Sequence, residues 1–283
     1  MTHPAFSPNS TAVITGGAAG IGLATAVQFA KMGLNICIAD LGEDRLAKAA
    51  KTIAAAAPKG MDNVMTQVTD VSKIDDLTAL EAAVSKRFGG TDILMNNAAV
   101  QPGSDIFNQS QTWQRILAVN LHGVINGCHI FVPNMVKRGR PGLVINTGSK
   151  QGITTPPGDP AYNVAKSGVK TFTEALQHEL RNIESANLSA HLLIPGFVYT
   201  DLTRGDRTKK PAGAWLPDQI AQFLIASLEK DDFYILCPDN DVARPLDEAR
   251  MRWAGDDIIK NRPALSRWHP DYAEAYADFV KDV

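Results

Sequence analysis

Thr15-Gly16-Gly17-Ala18-Ala19-Gly20-Ile21-Gly22 joins a short apolar run, Thr11–Thr15, to an Ala-rich amphipathic run over residues 20–32. Continuous β-branched apolar runs predict buried strands, and apolar positions recurring every three or four residues predict helices. The octet is therefore a tight strand-to-helix turn. A helix N-terminus presents unpaired N–H groups and the positive end of a dipole, which together suit a pyrophosphate. Glycine allows the turn and lets the backbone approach phosphates closely. The spacing here is Gly-x-x-x-Gly-x-Gly. A tight turn that holds no ligand is the competing explanation.

The pattern extends outward from this turn. Strands are predicted near Thr11–Thr15, Leu34–Asp40, Asn63–Val68, Asp92–Asn96, Gly142–Thr147, Leu188–Ile194 and Phe233–Cys237. Helices are predicted over 20–32, 43–57, 73–88, 111–138, 160–184 and 217–230. Alternating strands and helices, with the strands apolar throughout, imply a parallel sheet covered on both faces. The second strand ends at Asp40, eighteen residues after Gly22. A dinucleotide-binding fold places an acid there on the adenosine ribose hydroxyls. Such a carboxylate repels a 2′-phosphate, and neither Gly17 nor Leu41 supplies a cation to receive one, so NAD is expected rather than NADP.

Composition narrows the classes. The chain has 283 residues, 45% hydrophobic and 20% charged, with a net charge of −2. That is globular composition without the basic excess of a nucleic-acid binder, so no nucleic-acid partner is expected. Three cysteines cannot form a disulfide framework; Cys37, Cys128 and Cys237 fall in apolar or helical stretches and are expected as buried thiols in a reducing, cytoplasmic setting. Met1–Ser10 lacks a basic start and an apolar run, so no export signal is expected, and no run of eighteen apolar residues predicts a membrane span. No metal site is expected, because the histidines and cysteines lack ligand spacing.

Tyr162 and Lys166 are four apart on a predicted helix and share a face. A free phenol, with a pKa of about 10, is a poor base at pH 7, and lowering it by about three units takes about 4 kcal/mol. A single exposed lysine cannot supply this. A lysine together with an oxidised nicotinamide, in a site poor in water, can. Alone, Tyr-x-x-x-Lys is commonly a helix-surface contact. Ser149 follows the fifth strand, at the end of the sheet where open parallel sheets bind ligands. Alone, it could be a capping serine.

In order along the chain, these residues resemble the short-chain dehydrogenase/reductase family in its simple, single-domain branch. Thr15–Gly22 fits its glycine turn, Asp70-Val71 its adenine pair, and Asn96-Asn97-Ala98-Ala99 its N-N-A-G, with Ala99 replacing glycine. Asn120 fits the helix asparagine of the catalytic tetrad. Ser149 stands thirteen residues before Tyr162, Tyr162–Lys166 fits Y-x-x-x-K, and Pro195–Thr200 fits P-G-x-x-x-T. The resemblance covers residue 10 to about 238. It implies a Rossmann-like, doubly wound α/β sheet of about seven strands.

The family's roles transfer position by position as expectations. The resemblance implies that Tyr162 is the acid/base and that Ser149 orients the substrate oxygen. Lys166 is expected to bind the nicotinamide ribose and tune Tyr162, and Asn120 to kink its helix and hold a relay water. Gly16, Gly20, Ile21 and Gly22 are expected along the pyrophosphate, Asp40 on the adenosine ribose, and Asp70 and Val71 at the adenine. Asn97, Val198 and Thr200 are expected elsewhere along the cofactor. The helices near 111–138 and 160–184 resemble those that join subunits in family members, so a homodimer or homotetramer is expected.

The substrate side is less specific. Gln151 and Phe197, with Ser149 and Tyr162, are the candidate substrate contacts for a small alcohol or carbonyl compound. Residues 200–217, carrying Arg204, Arg207, Lys209 and Lys210, are the candidate lid. Residues 239–283 exceed what the resemblance requires. Leu246, Ala249 and Trp253 fit one helical face, and Tyr272 to Phe279 a second short helix. This tail either packs on its own domain, making 1–283 one domain, or reaches across a subunit interface. The expected activity is NAD-dependent oxidation of a secondary alcohol or reduction of a ketone. A non-catalytic dinucleotide sensor is the alternative, although such proteins usually lack the Tyr or Lys. An epimerase or dehydratase of the extended branch would be longer, with a different glycine spacing.

Overall fold

The computed structural model describes residues 3–108, 111–184 and 186–283; the first two residues of the predicted domain lie outside this set. The strands are β1 (Thr11–Thr15), β2 (Asn35–Asp40), β3 (Val64–Val68), β4 (Ile93–Asn96), β5 (Gly142–Thr147), β6 (Leu188–Ile194) and β7 (Tyr234–Leu236). They form one parallel sheet in the order β3-β2-β1-β4-β5-β6-β7. The order reverses between β1 and β4, which opens a crevice at their carboxyl ends.

The helices are α1 (Gly20–Lys31), α2 (Glu43–Ala54), α3 (Ile74–Phe88), α4 (Gln111–Leu117), α5 (Gly123–Arg138), α6 (Gln151–Thr154), α7 (Pro160–Asn182), α8 (Pro217–Leu228), α9 (Arg244–Ile259) and α10 (Ala273–Phe279). Successive strand side chains point to opposite faces, so the apolar strands feed two cores. Ile14, Ile36, Ile38, Met95 and Ile145 pack against Phe29 of α1, Leu46 and Ile53 of α2, and Leu224 of α8. On the other face Val13, Cys37, Leu94 and Val144 meet Leu80 and Val84 of α3, Phe131 and Met135 of α5, and Leu180 of α7. This is the Rossmann-like doubly wound sheet. All three cysteines are buried free thiols, and burial pushes each up to about 12.

Two local features differ from the simplest reading of periodicity. The helix predicted over 111–138 is interrupted by a π-helical turn, Ala118–His122. Such turns are a backbone irregularity common at functional sites, and this one carries Asn120. The stretch after Ser149, with no helix predicted, forms α6 and ends at Thr155 in the left-handed region, φ +43°. Beyond β7, α9 buries Ala249 and Trp253. Among the described residues, Gln111–Arg138 is long and apolar enough to cross a membrane by length and composition. Here it is a core element, with Ile116, Val124, Phe131 and Met135 buried.

Candidate active site

A cavity of about 710 Å³ lies at the carboxyl ends of the strands, lined from one side by Gly16, Gly20, Ile21 and Asp40 and from the other by Ser149, Tyr162 and Lys166. The glycine turn forms its floor. Gly16 has φ +64°, and a Cβ there would stand 2.8 Å from Ala98 Cα. Gly20 has φ +53°, and Thr200 covers it, its Cγ2 3.2 Å from where a Cβ would be. Gly22 is not a lining residue: a Cβ there would fall on the Gly16 carbonyl oxygen and 2.8 Å from Asn97 Nδ2. Its glycine character serves the packing of α1 under the turn. No side chain caps the N-terminus of α1, which leaves its N–H groups available to an anion.

Asp40 closes β2. Its Oδ2 accepts from the Ala18 amide at 3.2 Å, and its Oδ1 accepts from the Leu41 amide at 2.8 Å and from Arg45 Nη2 at 3.1 Å. Arg45 brings a cation that neither Gly17 nor Leu41 supplies: it lines the cavity from the first turn of α2. The immediate neighbours of Asp40 could not reveal it, because the pair forms only where the first turn of α2 folds back on the end of β2. Asp70 and Val71 also line the cavity; Asp70 Oδ1 accepts from the amide and hydroxyl of Ser72. Gly123 leaves room for Val71, since a Cβ would stand 2.8 Å from Val71 Cγ2.

Asn97 ties three strand ends together. Its amide N donates to Thr15 Oγ1 at 3.0 Å, its Nδ2 donates to the Thr15 carbonyl at 3.2 Å, and its Oδ1 accepts from Thr147 Oγ1 at 3.4 Å. Asn120 is fully buried and does not line the cavity. Its Oδ1 accepts from the Val100 amide and its Nδ2 donates to the Val100 carbonyl, both at 2.8 Å. The π turn thus fixes the segment that follows β4, and Val100 lines the cavity.

Tyr162 and Lys166 lie on α7, four residues apart, with Lys166 Nζ 5.7 Å from the centre of the Tyr162 ring. Lys166 Nζ donates to the Thr147 carbonyl at 2.7 Å. Burial pushes the Tyr162 phenol up to about 12; the nearby Ser149 hydroxyl works against this, and the Asp159 carboxylate adds to it. Burial also brings the Lys166 ammonium down to about 8. Both groups favour their neutral forms more than in water. Lys166 by itself thus leaves the phenol high, and a further positive charge beside it is needed to bring it down. Gly152 lets α6 close on α7: a Cβ there would stand 2.5 Å from the Lys166 carbonyl carbon.

Gln151 and Phe197, both candidate substrate contacts, do not line this cavity. The Gln151 side chain accepts from Gln101 Nε2 at 3.5 Å, and the Phe197 ring lies 5.7 Å from the Arg207 guanidinium. Val198 and Thr200 do line it, as does Arg115 of α4, a residue without a motif to single it out. Val198 pairs with Trp215 in an isolated parallel bridge that draws together the ends of the 200–217 segment.

The profile of the family described as short chain dehydrogenase matches residues 10–211. D-beta-hydroxybutyrate dehydrogenase of Rhizobium meliloti is 35% identical over 193 residues, 68% of this chain and 72% of that protein. The 3-oxoacyl-(acyl-carrier-protein) reductase FabG of Chlamydia trachomatis is 30% identical over 237 residues, 80% of this chain and 93% of that protein. Among solved structures, a short chain dehydrogenase/reductase from Burkholderia phymatum in complex with NAD is 29% identical with a TM-score of 0.80, covering 90% of this chain and 96% of that one.

Proposed function

The chain belongs to the short-chain dehydrogenase family of oxidoreductases, and on that premise we propose that it moves hydride between NAD and a secondary alcohol or ketone. The observation that carries this reading is a single cavity lined at one end by the glycine turn and Asp40 and at the other by Ser149, Tyr162 and Lys166. The residues suit a nicotinamide dinucleotide: an uncapped helix N-terminus for the pyrophosphate, glycines where a Cβ would fill the approach, and a carboxylate for the ribose.

The bound dinucleotide supplies the hydride acceptor at its nicotinamide ring. Ser149 holds the substrate oxygen through its hydroxyl. Tyr162 Oη takes the proton of that oxygen in oxidation and returns it in reduction. A phenol at about 12 is too weak a base for this at neutral pH, so positive charge must gather beside it. Lys166 contributes one charge while protonated and holds the nicotinamide ribose. Asn120 acts as the fourth member of the tetrad, keeping the π turn against Val100 and a relay water within reach. Asn97, Val198 and Thr200 orient the cofactor, Asp70 and Val71 its adenine.

NAD is the preferred form because Asp40 accepts from the ribose hydroxyls and repels a 2′-phosphate. The charge of Arg45 is already engaged by Asp40. Residues 200–217 cover the substrate, with Gln151 and Phe197 meeting its carbon skeleton once the segment closes. Residues 239–283 belong with the rest of the chain to one domain. The outward faces of α5 and α7 join copies in a homodimer or homotetramer, and the protein works in the cytoplasm. A screen of NAD-linked oxidation over a panel of secondary alcohols, with Tyr162→Phe run in parallel, tests the reading. Turnover that vanishes in the variant supports it. NADH binding with no turnover of any alcohol or ketone favours a sensor instead.

A further inference from the structure

Lys150 follows Ser149 directly, yet it does not line the cavity. Its Nζ lies 3.3 Å from Asp239 Oδ2 and 2.5 Å from Asp247 Oδ2, with all three side chains largely buried. Asp239 is anchored in turn: Oδ2 accepts from the Phe197 amide at 3.2 Å and Oδ1 from the Val242 amide at 2.8 Å. The Lys150 amide donates to the Pro195 carbonyl at 3.2 Å. Gly196 makes room for the junction, since a Cβ there would fall on Asp239 Oδ2 and stand 2.9 Å from Lys150 Nζ. Three segments therefore meet on one ammonium: the turn that carries Ser149, the Pro195–Thr200 strand exit, and the extension beyond β7.

The apolar contacts run the same way. α9 packs on α6, and Met251 joins the cluster that contains Ile153, Phe233 and Leu236. A buried ion cluster loses solvation that its attraction scarcely recovers, so it is a poor source of net stability. What it does supply is geometry, because an unpartnered buried charge is costly and the partners stay where they can meet. Burial holds the Asp247 carboxyl above its ordinary range, opposed by Lys150 and by nearby Arg250, and reinforced by Asp239.

We propose that Lys150, Asp239 and Asp247 form a buried ionic clamp through which the C-terminal extension positions Ser149 and the Pro195–Thr200 segment for the reaction. This rests on the assignment of Ser149 as the group that orients the substrate oxygen. Lys150 and Asp247 are positioning residues; they act through Ser149 and through the Phe197 backbone.

The test uses the full chain with Asp247→Ala and Asp247→Asn, the latter keeping an acceptor oxygen for Lys150. Asp247→Ala is expected to lower kcat for the alcohol turned over fastest by about 10- to 100-fold, the scale set by misplacing a reacting group by about 1 Å. NADH affinity, read by fluorescence titration, stays unchanged, and amide exchange across residues 149–155 accelerates. Asp247→Asn restores most of kcat and of the protection. Unchanged kcat and exchange in Asp247→Ala overturn the clamp. So does a loss of kcat matched by an equal loss of NADH affinity that Asp247→Asn does not repair. Should Asp247→Ala fail to fold, Asp247→Ser carries the same readouts. If Tyr162→Phe keeps full turnover, or no alcohol is turned over, the proposed reaction fails and the exchange across residues 149–155 still decides the clamp.

Discussion

Lys166 Nζ donates a 2.7 Å hydrogen bond to the carbonyl oxygen of Thr147, the last residue of β5. This bond ties the middle of α7 to the strand end from which Ser149 departs, and it holds the ammonium beside the Tyr162 ring. The helix that carries two of the proposed catalytic groups is thereby registered against the strand that delivers the third.

The phenol of Tyr162 is the proposed proton carrier. Tyr162→Phe removes the hydroxyl and leaves the ring in its buried place. Turnover is expected to fall by about 10²- to 10⁴-fold, the range for a positioned general acid or base, while NADH binding persists. In the wild type, alcohol oxidation should rise with pH along a limb lying well below about 12 once NAD is bound, because added positive charge favours the phenolate. A pH profile of kcat at saturating NAD checks both. Retained turnover in Tyr162→Phe would refute the acid/base role.

Burial of Lys166 has a consequence for stability. The unfolded chain keeps that proton up to about 10.5, the folded chain only up to about 8. Between these values the unfolded state binds more protons, so stability rises with pH. Below pH 8 the full penalty of a buried charge applies. Lys166→Met is therefore expected to stabilise the cofactor-free protein by about 1–3 kcal/mol near pH 7, with the gain shrinking toward pH 10, and to lose activity. Urea unfolding at the two pH values measures it. A variant less stable than wild type at pH 7 would mean that the bond to Thr147 outweighs the cost of burial.

Asp40 accepts from Ala18 and Leu41 while pairing with Arg45. Asp40→Ala removes the ribose acceptor and releases the guanidinium. The ratio of kcat/KM for NADP over NAD should rise by about 10- to 100-fold, the worth of one or two hydrogen bonds to a charged group. Arg45→Ala added to that background should cancel most of the rise. A wild type that already prefers NADP would contradict the argument from Asp40.

Gly22 carries no ligand contact, yet a Cβ there would strike the Gly16 carbonyl oxygen and crowd Asn97 Nδ2. Gly22→Ala should cost about 1–3 kcal/mol, the usual penalty for overpacking. It should also weaken NADH binding, because Gly16 and Asn97 must shift. Chemical denaturation paired with NADH titration distinguishes this from a neutral change, in which neither quantity would move.

Much of this protein was legible from local pattern. The glycine octet, the alternation of apolar strands with amphipathic helices, and the Tyr162–Lys166 spacing depend on backbone conformation and on periods of two and 3.6 residues, which neighbouring residues determine. From these follow the element order, a parallel sheet with two covered faces, and the end of the sheet where ligands gather. Contacts between residues far apart in the chain decided the rest. Packing placed Asn97 between Thr15 and Thr147, turned Asn120 inward on a π turn, and brought Lys150 to Asp239 and Asp247, about ninety to a hundred residues away. Even the direction in which Tyr162 and Lys166 titrate was a tertiary outcome. Spacing alone placed an ammonium beside a phenol, but burial of both groups, which no motif encodes, sets how strongly each prefers to be neutral.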